Sequence, residues 1–170
     1  TLKTGDEIGS VTYSYYDSTG EVLLGSAPTS VGSYKVSVSS AHFTSGKSNN
    51  FVITYTDGTF TVSAKSITLT VGSPSKTFGE VTPNNSFSTT TMAGSDAIGS
   101  VTYTYYDSSN STAIGSTPTA AGTYKIRATS PVFSTGNSSN YSISYVIGTY
   151  TINALGTVIT VGNQSITYGQ

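Results

Sequence analysis

Apolar and polar residues alternate in short runs along this chain. In Ser100 to Tyr106, Val101, Tyr103 and Tyr105 fall on one face, and Thr102, Thr104 and Tyr106 on the other. A period of two is that of a half-buried β-strand. Tyr124, Ile126 and Ala128 alternate with Lys125 and Arg127, which predicts a strand with its cations outward. Ile67, Leu69 and Val71 alternate with threonines in the same way. Ser86 to Thr91 reads as a polar strand at a sheet edge, and Thr112 to Gly115 as a short returning strand that carries Ile114. Asp107 to Asn110 is a turn, Pro118 and Gly122 bracket a bend, and Val132 to Ser139 reads as a loop whose Phe133 plugs the core. No helical periodicity interrupts the series.

The same pattern is written twice. IGSVTYSYYDS at Ile8 to Ser18 returns as IGSVTYTYYDS at Ile98 to Ser108, an offset of 90 residues. At that offset about 36 of the 80 comparable positions are identical without a gap, so the chain carries an internal repeat. Asn50 to Ala64 reads NFVITYTDGTFTVSA, with Asp57-Gly58 suited to a tight hairpin turn. Pairing across that turn sets Tyr55 against Phe60, Ile53 against Val62 and Phe51 against Ala64. The second copy sets Tyr145 against Tyr150, Ile143 against Ile152 and Tyr141 against Ala154, around Ile147-Gly148.

A unit is expected to begin just after this hairpin. Residues 65–154 then form one complete unit of about seven short strands. Residues 1–64 form a unit lacking its opening strand, and 155–170 supply the opening strand of a third. The expected fold is all-β, a tandem of Ig-like β-sandwich repeats of about 90 residues. Only Ser63-Ala64-Lys65-Ser66 joins the two repeats, a joint too short to leave their angle free. Because the chain opens in mid-unit, it is expected to be a window on a longer polypeptide.

Composition narrows the function. Charged residues make up 9 % of the chain, against about 25 % in an ordinary soluble domain, and 13 tyrosines dominate the aromatics. A surface wetted by hydroxyls suits a long extracellular β module. The net charge of -1 offers no basic patch for nucleic acid or an anionic membrane. Without cysteine there is neither a disulfide framework nor a thiolate metal site. No apolar run reaches the roughly 20 residues of a membrane span.

ITLTVGSPSKTFGEVTP, GSVTYTYYD, AGTYKI and SNYSISYVIGTYTINA together resemble the MBG-type Ig-like repeat of bacterial surface proteins. Such repeats open with a strand and a K-x-[YF]-G turn, here Lys76-Thr77-Phe78-Gly79; the later Ile166-Thr167-Tyr168-Gly169 lacks the lysine. The resemblance covers essentially the whole chain. It implies large secreted or cell-surface proteins in which many copies form a stalk, often in adhesins, with mucin or glycan binding in some members. The motif localises no binding residues.

Candidate chemistry is sparse. Asp17 and Asp107 recur at the first position of the same turn and are the calcium candidates, although an aspartate there ordinarily caps its own backbone. Tyr16 and Tyr106 point away from the inferred core and are candidates for stacking on a glycan. His42 is the single histidine, and Val132 takes its place in the second copy. Lys35 and Lys125 recur with Asn50 and Asn140, but alternation turns the lysines outward, against an isopeptide crosslink. No set of nucleophile, base and acid recurs, so no enzyme and no cofactor is expected. The expected role is a structural stalk or fibre at a cell surface or in secretion, with adjacent repeats or neighbouring copies as partners. The alternatives are a self-assembling filament in which 155–170 completes the first repeat of a neighbouring chain, and an adhesin module for host or environmental glycans.

Overall fold

The computed structural model describes residues 2–169. Strands make up its regular structure, with two single-turn 3-10 helices at Ser48–Asn50 and Ser138–Asn140. The chain divides into two compact units. One holds the residues up to Ser66 with 137–142; the other holds 67–136 and the residues from Ile143 on.

The second unit is built from two sheets. Its strands are β5 (Lys65–Val71, in this unit from Ile67 on), β6 (Ser75–Thr77), β7 (Phe87–Thr89), β8 (Ala97–Tyr106), β9 (Ala113–Ile114), β10 (Gly122–Thr135), β11 (Tyr141–Val146, in this unit from Ile143 on) and β12 (Gly148–Asn153). One sheet has the order β6-β12-β10-β8-β9, the other β11-β5-β7. Alternation fills the space between them. β5 contributes Leu69 and Val71, β8 Tyr105, β10 Ile126 and Ala128, and β12 Tyr150 and Ile152. Leu69, Ile126 and Tyr150 are fully removed from solvent, each such burial contributing about 1.5–3 kcal/mol. Phe87 of β7 and Ile143 of β11 pack against this cluster.

The first unit has a single sheet. β1 (Glu7–Tyr16), β2 (Leu23–Leu24), β3 (Gly32–Ser45) and β4 (Gly58–Val62) lie in the order β2-β1-β3-β4. Its registers follow the repeat: Tyr16 pairs with Lys35 as Tyr106 pairs with Lys125, and Gly32 with Val62 as Gly122 with Ile152. The difference lies in the core. Every buried hydrophobic among the described residues stands at Ile67 or beyond. Val36 and Phe60 are half-buried where Ile126 and Tyr150 are sealed, and Tyr13 is 60 % exposed where Tyr103 is half-buried.

Three local expectations are corrected. The hairpin of Asn140 to Ala154 does not pair with itself. β11 joins β5 in one sheet and β12 joins β10 and β6 in the other, so the chain crosses between layers at Ile147. The alternation is satisfied either way, because residues that face one another across a core look the same as residues that sit side by side. In the first unit, residues 51–57 form no strand. Val132 to Thr135 is strand rather than loop: β10 runs through a register shift between Thr129 and Val132, with Ser130 at φ 48°. This is a bulge, and Pro131, which has no N–H to give, fits beside it. Ser40 at φ 51° does the same in β3. Finally, of the turn expected at Lys76-Thr77-Phe78-Gly79, Phe78 and Gly79 do turn, with the Glu80 N–H donating to the Thr77 carbonyl at 3.0 Å, while Lys76 and Thr77 belong to the parallel strand β6 against Thr151 to Asn153.

Candidate functional site

The outward face of β8 and β10 and the turn after β8 carry the second unit's candidate residues. Asp107 directly follows β8, and its backbone N–H donates to the Thr112 carbonyl at 3.0 Å. Its Oδ1 accepts from the N–H groups of Ser111 (2.8 Å) and Thr112 (3.2 Å). Its Oδ2 accepts from the hydroxyls of Ser109 (2.8 Å) and Ser111 (3.1 Å). These donors, the Ser111 N–H foremost, lower its carboxyl to about 2. Asp17 is held alike: its Oδ1 accepts from the Glu21 and Val22 N–H groups, and the Thr19 hydroxyl, 2.8 Å away, is the main cause of its lowered pKa. A cation would have to displace donors of the aspartate's own turn. Among the described residues, no group of three or more His, Cys, Asp or Glu is gathered for a metal ion.

The candidate tyrosines each lie beneath a cation. The Arg127 guanidinium stands 3.9 Å from the Tyr106 ring centroid. Asn110 fixes it there, its side-chain oxygen accepting from Nε at 2.9 Å and its carbonyl from Nη2 at 2.6 Å. Asn110 makes this possible by taking φ 62°, a left-handed conformation that asparagine tolerates and that Gly20 fills in the first unit. Over Tyr16 the cation is Lys35, with Nζ 5.4 Å from the centroid and 2.8 Å from Asp57. That pair raises the lysine pKa and lowers that of the aspartate. One face of each ring is thus covered by a neighbouring side chain; a planar ligand would meet the other. Arg127 was missed as a functional neighbour because it pairs with Thr104 and reaches Tyr106 diagonally. His42 is exposed on β3, in register with Ser10.

Besides these, the inner face of the first unit's sheet lies open. A shallow depression there is lined by Ile8, Gly9, Ser10, Val11 and Tyr13. Beyond Asn153 the described chain is non-strand, with Val158, Ile159 and Val161 at least 80 % exposed.

The family description of the MBG domain (YGX type) matches residues 67–151, which span the two-sheet unit from β5 to β12. No curated protein and no solved structure matches the chain significantly.

Proposed function

Because the chain belongs to the MBG domain family of the YGX type, we propose that it is a structural repeat module of a stalk or fibre in a large cell-surface or secreted protein. The observation that carries this reading is the family match to a stretch built of strands apart from the single 3-10 turn Ser138–Asn140, with two residues, Ser63 and Ala64, between β4 and the next strand β5. A joint so short limits rotation between consecutive units. The module then acts mechanically, as a semi-rigid rod that projects a distal element. A seven-residue strand spans about 23 Å, so each unit set end to end adds a few tens of Å. Small-angle scattering of the chain tests it: the rod requires an elongated particle, and a compact two-domain globule refutes it.

A further inference from the structure

We propose that the 3-10 turn of the second repeat is a docking element for the first, with Asn140 as the residue that makes the contact. The inference rests on the stalk reading and names how one repeat holds the repeat before it.

Repeat and compact unit do not coincide in this chain. At the repeat offset, residues 137–142 correspond to 47–52 and belong to the second repeat. In the structure they group with the first unit, and the chain rejoins the second at Ile143. The first unit therefore contains a piece that the next repeat supplies.

The receiving group is a single peptide. Val31 directly precedes β3 and is half-buried. Its N–H donates to the Asn140 side-chain oxygen at 3.0 Å, a partly buried bond between residues 109 apart in the chain. The carbonyl of the same peptide, on Ser30, accepts from the Tyr34 hydroxyl at 2.9 Å. Both ends of the peptide are thus satisfied, one from its own repeat and one from the next. In the second repeat the equivalent carbonyl, on Ala120, accepts from the Tyr124 hydroxyl at 3.0 Å. The tyrosine presets this peptide in both copies, and Asn140 uses the one in the first. An N–H only donates, so the bond orients the Asn140 amide with its oxygen toward Val31. Deprived of that acceptor, a half-buried donor forfeits its hydration without compensation.

The docking turn is prearranged. Asn137 stands at the N-cap of Ser138–Asn140, and its side-chain oxygen accepts from the Ser139 N–H at 3.0 Å and the Ser139 hydroxyl at 2.9 Å. Its carbonyl accepts the Asn140 N–H at 3.1 Å. These bonds fix the end of the turn from within, so the contact with Val31 orders little further chain. The first repeat's own turn differs. Lys47 stands where Asn137 does and gives no side-chain cap. Asn50 is exposed where Asn140 is half-buried. The same residue at the same repeat position therefore serves as an internal control.

The experiment follows the Val31 amide by NMR in the whole 170-residue chain. In the unaltered chain a nuclear Overhauser contact should join the Val31 N–H to the Asn140 side chain. Asn140→Ala should raise hydrogen exchange at Val31 roughly tenfold. It should also lower the melting of the first unit by about 4–8 °C, the shift that one partly buried hydrogen bond gives a unit of this size. Exchange at Ile126, in the second unit's core, should not change. Asn140→Asp keeps an oxygen at the same place and should retain both the protection and the melting temperature. Asn50→Ala should leave Val31 exchange as it was. No Overhauser contact, or exchange at Val31 that ignores Asn140→Ala, overturns the docking and leaves the rod standing. Loss of protection in Asn140→Asp as well as in Asn140→Ala overturns the role of the side-chain oxygen. A compact particle in scattering, with Val31 still dependent on Asn140, refutes the rod and upholds the contact.

Discussion

Gly148 stands so close to the carbonyl oxygen of Gly72 that any side chain at 148 would overlap it. The contact lies where the chain crosses from β11 to β12 and passes the end of β5. Gly148 to alanine should therefore push β5 away from the crossover and destabilise the second unit by about 1–3 kcal/mol. In the first unit, a Cβ on the equivalent Gly58 meets only Val36, at 3.4 Å, which is close but ordinary. Gly58 to alanine should cost much less. Denaturant unfolding of both variants measures the contrast, and equal losses would mean that the Gly72 backbone is not the obstacle.

The Tyr150 ring is sealed in the core, edge-on to Tyr105 at 5.6 Å between centroids, and its hydroxyl has no partner among the described residues. A buried unsatisfied hydroxyl costs about 1–3 kcal/mol. Tyr150 to phenylalanine should accordingly leave stability unchanged or raise it by about 1 kcal/mol. The first unit already has Phe60 at this position. A clear loss of melting temperature would show that the hydroxyl holds an ordered water.

Asp107, at about 2, lies below the ordinary 3.8 because the folded turn favours the carboxylate. The sign follows. A group lowered by folding stabilises fully above its unfolded value and loses that contribution as pH falls through the folded one. The second unit should lose this share of its stability between about pH 4 and 2, and Asp107 to asparagine should flatten that decline. Carbon NMR titration of the Asp107 carboxyl gives the direct readout; a midpoint near 3.8 would mean that the turn donors do not engage it.

Ile126 and Val36 hold equivalent places with different cover. Ile126 to alanine should cost the second unit about 2–5 kcal/mol. Val36 to alanine, on the open face, should cost well under half as much. By the same reasoning the first unit, lacking a sealed core, should melt at a lower temperature. Calorimetry showing two transitions, with only the upper one shifted by Ile126 to alanine, is the expected outcome. A single shared transition would contradict it.

Much of this fold was legible in the residues. Val101, Tyr103 and Tyr105 face the core as their alternation requires, and Asp107 caps its own turn. SFSTTT yields β7 at a sheet edge, and the returning strand forms at Ala113 and Ile114. What escaped was partnership across long sequence distances. Local pattern cannot tell that β11 belongs with β5, more than 60 residues earlier, rather than with β12 beside it. The bulge at Ser130 escaped for a similar reason. A serine forced to φ 48° signals nothing until the two strands on either side are known to share one ladder. The candidate tyrosines were found by alternation, but the cation over Tyr106 comes from a diagonal neighbour held by a turn residue.

The parallel pairing of β6 with β12 has one more consequence. When a unit is pulled by its two ends, β6 is drawn back through its N-terminal side and β12 forward through its C-terminal side. Because the strands point the same way, these opposed forces act along the ladder, and Thr151 to Asn153 must slide past Ser75 to Thr77 with all their bonds strained together. An antiparallel pair pulled at its open end would instead unzip, its bonds breaking in succession. The short edge strand thus resists such a pull as a shear latch rather than as a zipper.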